Sequence, residues 1–339
     1  METQLKQPST QAIEQAAELL RAGEIVAIPT ETVYGIAASA LNQQAVEKIF
    51  IAKARPQDNP LIVHIADRDM LPMVTSQFSS QAEKLAEAFW PGPLTMILPR
   101  GEQVCDGVCA GLDTVAVRMP SHPVAQQIIR ASGLPLAAPS ANLSGSPSPT
   151  TAAHVLADMQ GRLPLIVNGG ECQVGLESTV VSLTGERPVL LRPGAVTQQQ
   201  LEEVLGVPVE LAAAVLEQLQ EGQKVLSPGM KYKHYAPKAQ VTIVKGELGD
   251  FARYVAEHKG PDAVCLCFDG EQEQLSLPCV AYGAKEDAVQ QAQQLFAALR
   301  RLDEIGAVQV FARCPSMEGV GLAVYNRLLR AAGFRVVQV

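Results

Sequence analysis

Short apolar strands alternate with amphipathic helices along this chain, and the alternation stops once and then starts again. The first run extends from Ile13 to Val209. It is broken by Ser227-Pro228-Gly229-Met230-Lys231-Tyr232-Lys233-His234-Tyr235-Ala236-Pro237, a stretch rich in proline, glycine and basic residues, and it resumes at Val241. Alternation of this kind builds sheets layered with helices, not bundles or sandwiches. At roughly 100–200 residues per domain, the length also accommodates two domains. The reading is an α/β chain: a sheet domain of α/β or α+β type over 1–210, an interdomain linker over 211–238, and a small Rossmann-like βα domain over 239–339.

Several elements can be placed by pattern. Ile13, Ala16, Ala17 and Leu20 repeat at helical spacing, with Ser9 or Thr10 to cap the start and Gly23 to end it. A strand Glu24–Ile28 follows, then the loop Pro29–Gly35. Asn42 caps a helix with the stripe Val46, Ile49 and Phe50, and Lys53 falls on that stripe at its C-terminal end. Strands are expected at Pro60–Ile65, Thr95–Leu98, Thr114–Arg118, Leu136–Ala138, Leu165–Val167 and Ser178–Leu183, and helices at Ser79–Phe89, Val124–Ser132 and Thr151–Met159. A further helical stretch is expected at Leu211–Glu221. Beyond the break, strands Val241–Lys245, Ala263–Phe268, Val308–Ala312 and Arg335–Val339 alternate with helices Asp250–His258, Glu286–Leu302 and Gly319–Ala332. Gly319-Val320-Gly321 lacks the remaining glycine of a dinucleotide fingerprint and does not follow a strand directly.

Composition removes several functions. With 47% hydrophobic residues the chain is not intrinsically disordered, and no apolar run is long enough to span a bilayer. The N-terminal stretch lacks the apolar region of a secretory signal, so a cytoplasmic location is expected. Seven cysteines, an odd number without a signal, read as reduced thiols and not as a disulfide framework. No Cys/His spacing suits structural zinc. A net charge of −8 is the wrong sign for a sequence-blind nucleic-acid binder, and 4% aromatics is too few for a base-stacking platform.

Phosphate loops, His-Glu-x-x-His and nucleophile elbows are missing from the sequence. What stands out are polar loops just after predicted strands, where α/β sheets place their sites. The loop Pro29–Gly35 carries Thr30, Glu31, Thr32 and Tyr34; a hydroxyl-rich turn is its plainer reading. Lys53-Ala54-Arg55-Pro56-Gln57-Asp58-Asn59-Pro60 sets two cations between a helix end and a strand. The helix macrodipole favours a cation there, but it does not explain Lys53 on the apolar stripe. Ala138-Pro139-Ser140-Ala141-Asn142-Leu143-Ser144-Gly145-Ser146-Pro147-Ser148 offers small hydroxyls and backbone amides suited to phosphate oxygens. Arg118 reads equally as a strand-end surface residue, and His64 as a satisfied half-buried histidine.

Taken in order, Pro29-Thr30-Glu31-Thr32-Val33-Tyr34-Gly35, Lys53-x-Arg55-Pro56, Asn59-Pro60-Leu61-Ile62-Val63-His64, Trp90-Pro91-Gly92-Pro93-Leu94-Thr95, Pro139-Ser140-Ala141-Asn142 and Leu191-Arg192-Pro193-Gly194 resemble the YrdC/Sua5 family. The family's Lys-x-Arg…Ser-x-Asn tetrad matches Lys53, Arg55, Ser140 and Asn142. The segment Lys233-His234-Tyr235-Ala236-Pro237 and the restart after it resemble the longer, two-domain Sua5 form.

The resemblance implies an N-terminal YrdC-like twisted mixed-sheet domain that makes L-threonylcarbamoyladenylate and pyrophosphate from L-threonine, bicarbonate and ATP. The product would supply a partner tRNA threonylcarbamoyl-transferase complex acting at adenosine 37. Catalysis is expected of Lys53, Arg55, Ser140 and Asn142. By the same resemblance, threonine would be held by Thr32, His64, Arg118, the backbone at Ala138, and Ser178. ATP would contact Arg55, Asn59, Thr114, Ser140, Asn142, Ser148, Arg192 and Tyr235, the last making the linker a lid. Arg118 is the natural bidentate partner for a carboxylate. No acidic cluster for Mg²⁺ is visible, so the ion is expected to ride on the nucleotide's own phosphates. Two other functions compete: a carbamoyl-adenylate-forming enzyme, and an RNA-binding or ribosome-maturation protein.

The charge is unevenly spread. Residues 1–210 hold 13 Lys+Arg against 21 Asp+Glu, whereas residues 211–339 hold 14 of each. Lys53, Arg55, Arg118 and Arg192 gathered in one cleft on such a surface would admit one nucleotide and give a long RNA little to hold.

Overall fold

The computed structural model describes residues 2–218 and 235–339. Two compact units divide it: residues 2–144 with 148–215, and residues 145–147 and 216–218 with 235–339. No helix among the described residues is long and apolar enough to cross a membrane.

The first unit is one mixed sheet flanked by helices. Its strands are β1 (Gln4–Lys6), β2 (Val26–Ile28), β3 (Gly35–Ser39), β4 (Ile62–His64), β5 (Leu94–Pro99), β6 (Thr114–Arg118), β7 (Leu136–Ala137), β8 (Leu165–Val167), β9 (Thr179–Ser182), β10 (Val189–Arg192) and β11 (Glu210–Leu211). Its helices are α1 (Thr10–Arg21), α2 (Gln43–Lys53), α3 (Ser80–Phe89), α4 (Asp106–Cys109), α5 (Pro123–Ser132), α6 (Ala152–Met159) and α7 (Gln198–Leu205). The strands run β1-β8-β2-β3-β7-β4-β6-β5-β9-β10-β11 across an 11-stranded sheet. Helix starts follow local chemistry: Ser9, Asn42, Ser79, Thr151 and Thr197 each cap a helix by accepting an early backbone N–H.

Period-two alternation sorts the strand residues onto the two faces. Val63, Met96, Val117, Val181 and Leu190 enter the main core on one face. On the other, α1 and α5 cover β2, β3, β7 and β8 through Leu20, Val26, Ile28, Ile128, Leu136 and Val167. Past β7 this second face carries a smaller cluster, Ile62, Ile97, Ala116, Val180 and Leu191, with Val189, Ala212 and Ala214 against it. The candidate site lies on this second face.

The second unit is a parallel sheet in the order β14-β13-β15-β12-β16. It comprises β12 (Gln240–Lys245), β13 (Ala263–Cys267), β14 (Cys279–Ala281), β15 (Gln309–Arg313) and β16 (Val336–Gln338), with α8 (Leu248–His258), α9 (Ala288–Glu304) and α10 (Gly319–Ala331). Gly321, in the incomplete fingerprint, lies so close to the loop before α10 that a Cβ would meet Ser316 O at 2.7 Å. That close approach explains the glycine without a nucleotide. All seven cysteines are free thiols.

One expectation changes, and several elements, β1, β10, β14 and α4 among them, went unread. The helix expected from Leu211 is not formed in its described part: Glu210–Leu211 pairs in parallel with Val189–Leu190, and Ala213–Val215 makes a single 3₁₀ turn. Strand pairing at the sheet edge overrides the alanine-rich helical propensity. The strand β3 was not expected, because all five residues of Gly35–Ser39 are buried and show no alternation. The helix α7 also went unread, though Thr197 and Gln200 form a full capping box at its start. Of the segment read as a linker, residues 219–234 lie outside the described residues.

Candidate active site

Register places one polar row across the second face. His64 is the direct partner of Arg118, Arg118 of Thr95, Thr95 of Val180, and Val180 of Arg192. Directly opposed residues point to the same side, so sequence-distant side chains meet there. A bulge at Leu191 lets both Leu191 and Arg192 oppose β9, bringing Arg192 to this face. Arg192 donates from Nε to Ser178 O at 2.9 Å and from Nη2 to Ser178 Oγ at 3.1 Å. Ser178 Oγ lies 2.7 Å from Thr95 Oγ1.

Arg118 is 3% exposed and held from three sides. Its Nε donates to Gly92 O at 3.3 Å, its Nη1 donates to Thr32 Oγ1 at 2.8 Å, and its Nη2 lies 2.6 Å from Glu31 Oε1. Because guanidinium only donates, the Thr32 hydroxyl passes its own hydrogen to Thr30 Oγ1, and Thr30 donates to Val33 O. The hydroxyl-rich turn after β2 is therefore a hydrogen-bonded clamp on Arg118. Burial raises the Glu31 carboxyl, but the charge and hydrogen bond of Arg118, with the Glu31 and Ser121 amides, outweigh it and leave Glu31 below the usual carboxylate range. His64 is buried, with Nδ1 3.2 Å from Ile62 O. Burial, reinforced by the Arg118 charge, lowers its pKa to about 3, so the imidazole is neutral.

A second group forms around Lys53. The left-handed Ala54 ends α2 with Lys53 on its buried stripe, 2% exposed. Lys53 Nζ donates to the carbonyl of Ser140 and, at 2.7 Å, to that of Asn142. Burial first, and then the neighbouring Arg55 charge, pull the Lys53 ammonium well below the ordinary lysine range. Lys53 thus holds the loop Ser140–Asn142 from beneath, not as a free surface cation. Backbone bonds lace this loop to the clamp: Ala141 N donates to Tyr34 O at 2.8 Å, and Tyr34 N to Pro149 O at 2.9 Å.

The remaining expected residues fall as follows. Arg55 Nη2 donates to Asn59 O at 3.2 Å, and its guanidinium lies 6.0 Å from the Phe50 ring centroid. Asn59 is fully buried, and both atoms of its side-chain amide lack a well-formed hydrogen bond. Ala138 follows β7, and its N–H donates to Ile62 O at 2.9 Å. Ser148 donates its hydroxyl to Glu177, the residue before Ser178. Thr114 starts the strand that Arg118 ends, about 13 Å away at about 3.3 Å per residue, so it does not join Arg118. Tyr235 belongs to the second unit, where its ring packs 5.2 Å from that of Phe296 and 5.8 Å from the Arg327 guanidinium.

Sequence reasoning assigned no role to Glu31, Thr95 or Glu177. Glu31 and Thr95 stood inside quoted motifs, and Glu177 next to an expected site residue; each partner is remote in sequence. The two acids also change the electrostatics: Glu31 neutralises Arg118, and the Glu177 charge acts on Lys53. The site is mixed in sign. Among the described residues no group of three or more His, Cys, Asp or Glu side chains is placed to hold a metal ion.

A sheet face carrying a buried, clamped arginine, together with a lysine-held serine/asparagine loop, marks an α/β protein with fixed donors suited to small anionic ligands. Residues 18–194 match the model of the Sua5_yciO_yrdC family, described as "Telomere recombination", and residues 196–333 match Sua5_C, described as "Threonylcarbamoyl-AMP synthase, C-terminal domain". The chain belongs to the Sua5/YciO/YrdC family. It is 44% identical over 331 residues to the threonylcarbamoyl-AMP synthase of Pyrococcus abyssi, covering 96% of this chain and 95% of that protein. Against the threonylcarbamoyl-AMP synthase of Bacillus subtilis it is 47% identical over 330 residues, covering 96% and 94%. The crystal structure of P. abyssi Sua5 complexed with L-threonine matches with a TM-score of 0.88 at 41% identity, covering 100% of this chain and 99% of that one.

Proposed function

We propose that this chain is a threonylcarbamoyl-AMP synthase, joining L-threonine, bicarbonate and ATP into threonylcarbamoyl-AMP with release of pyrophosphate. The observation that carries the reading is the match in sequence and fold, over nearly the whole length of both chains, to proteins of that name. The site chemistry agrees with it.

Threonine's amine and bicarbonate give a carbamate and water; a carbamate oxygen then bonds to the α-phosphorus of ATP as the bond to pyrophosphate breaks. Two anions must approach, so the chain has to fix positive charge and donors where charge builds up. Arg118, fixed by Thr32 and Gly92, takes the threonine carboxylate, with neutral His64, Ala138 and Ser178 around it. Ser140, Asn142 and Ser148 face the nucleotide on a loop that Lys53 holds in place, and Arg55, Asn59, Thr114 and Arg192 complete its binding. Mg²⁺ would be carried by the phosphates of ATP, with no side-chain cluster of the described residues to hold it, and would supply charge neutralisation for the leaving pyrophosphate. The product, a mixed anhydride, acylates an amine: the N6 group of adenosine 37 in tRNA, through a partner transferase complex in the cytoplasm.

The purified chain is expected to release pyrophosphate from ATP only when threonine and bicarbonate are both present, and more slowly with serine or glycine. Release independent of the amino acid contradicts the reading.

A further inference from the structure

Three thiols of the second unit meet at one edge of its sheet. Cys265 and Cys267 lie two residues apart on β13, so they share a face, and both are fully buried. Cys279 opens β14, the edge strand, and stands directly opposite Cys265 in the parallel ladder. It is partly exposed, packed against the cluster that holds Phe251, Val255, Cys265 and Phe311. Its Sγ donates to Leu277 O at 3.2 Å and is within hydrogen-bonding reach of the Cys265 and Cys267 thiols.

Register separates the two possible partners of Cys279. Adjacent strands lie about 4.8 Å apart, which brings directly opposed Cα atoms inside the roughly 4.4–6.8 Å span of a disulfide. Cys267 stands opposite Ala281, two residues further on. With about 3.3 Å per residue, its Cα lies about 8 Å from that of Cys279, past the ~7 Å limit for bridging without backbone movement.

We propose that Cys279 and Cys265 are a modification site for low-molecular-weight disulfides such as glutathione disulfide, closing to a protein disulfide that pins β14 to β13. The Cys279 thiolate attacks one sulfur of the reagent; the reagent's S–S bond breaks, one thiol leaves, and a mixed disulfide remains on Cys279. Cys265 then attacks Cys279 Sγ, and its proton leaves with the second thiol. Two protein thiols are oxidised and one disulfide molecule is reduced to two thiols. Burial pushes all three cysteines up, Cys265 to about 12, whereas hydrogen bonds from Cys267 and Cys265 pull Cys279 partly back. Cys279 is therefore the point of entry, and the reaction is slow at neutral pH and quickens in alkali.

The test treats the full chain with glutathione disulfide at mildly alkaline pH and maps its thiols by mass spectrometry. Cleavage after Glu271 and Glu273 parts Cys279 from Cys265 and Cys267, so a cross-link joins two peptides and fragmentation tells which cysteine is bound. The expected product is a Cys265–Cys279 link, two hydrogens lighter than the reduced chain, with amide exchange in β14 slowed at least 10-fold. In Cys265→Ala the reaction should stop with glutathione on Cys279. A mixed disulfide that persists on Cys279 of the unmodified chain, or a link to Cys267, overturns the proposal. So does reaction confined to Cys105 and Cys314, the other partly exposed thiols. A link that leaves the exchange unchanged overturns the pinning of β14. If Cys265→Ala does not fold, the map of the unmodified chain decides alone.

Discussion

Lys53 donates from Nζ to the main-chain carbonyl of Asn142 at 2.7 Å, reaching across 89 residues of sequence from a side chain that is almost wholly buried. The same ammonium takes the carbonyl of Ser140. One side chain therefore fixes the loop that carries two members of the tetrad, and in the proposed reaction its effect should pass through the loop's position. Displacing a reacting group by about 1 Å costs about 100-fold in rate. Lys53→Met, which keeps the bulk and removes the donors, should lower threonine-dependent pyrophosphate release at least about 100-fold. The thermal midpoint should stay within about 4 °C, the shift that about 1 kcal/mol makes in a domain of this size. Steady-state assay and calorimetric melting check both halves.

Arg118 and Glu31 neutralise each other inside the protein, so the two should be strongly coupled in stability. Removing Arg118 alone strands a buried carboxylate, a change that costs about 3–5 kcal/mol in comparable pairs. Arg118→Met should show that loss in urea unfolding, and the double variant Arg118→Met/Glu31→Gln should recover at least about 1 kcal/mol of it. Trp90 is the sole tryptophan and lies in the first unit, so its fluorescence reports on that unit alone. Equal losses in the single and double variants would mean that the pair is not coupled.

Acid should destabilise the first unit partly through His64. Its folded pKa of about 3 lies below the unfolded value of about 6.5. Between those values the unfolded chain binds a proton that the folded chain refuses. The contribution of neutral His64 is thus complete above pH 6.5 and is lost as pH falls toward 3. From pH 7 to pH 5 it amounts to about 2 kcal/mol. His64→Asn should lose about 2 kcal/mol less than the unmodified protein over that interval, as read by urea unfolding at both pH values. Identical losses would mean that His64 is not held neutral.

What could be read from the sequence was local. Asn42, the stripe Val46–Ile49–Phe50 and Lys53 lie on one helix, so cap and periodicity together revealed that Lys53 was buried and unusual. The strand Thr114–Arg118 was read to its observed ends, with Val115 and Val117 entering the main core and Ala116 the opposite face. By contrast, Gly35–Ser39 is buried on both faces and carries no alternation, and Glu210–Leu211 becomes a strand only because Val189–Leu190 offers an edge. The site divides in the same way. Motifs placed Thr32, His64, Arg118 and the tetrad in order along the chain, but Glu31 meets Arg118 across 87 positions, and that pairing is set by the sheet order alone.

The central claim is that one carbon from bicarbonate and one threonine are joined to AMP on this chain. The direct measurement is mass spectrometry of the adenylate formed from ATP, L-threonine and ¹³C-bicarbonate. The predicted result is threonylcarbamoyl-AMP carrying a single ¹³C, formed with one pyrophosphate and absent when threonine is omitted. An adenylate without the label, or threonyl-AMP in its place, would contradict the account.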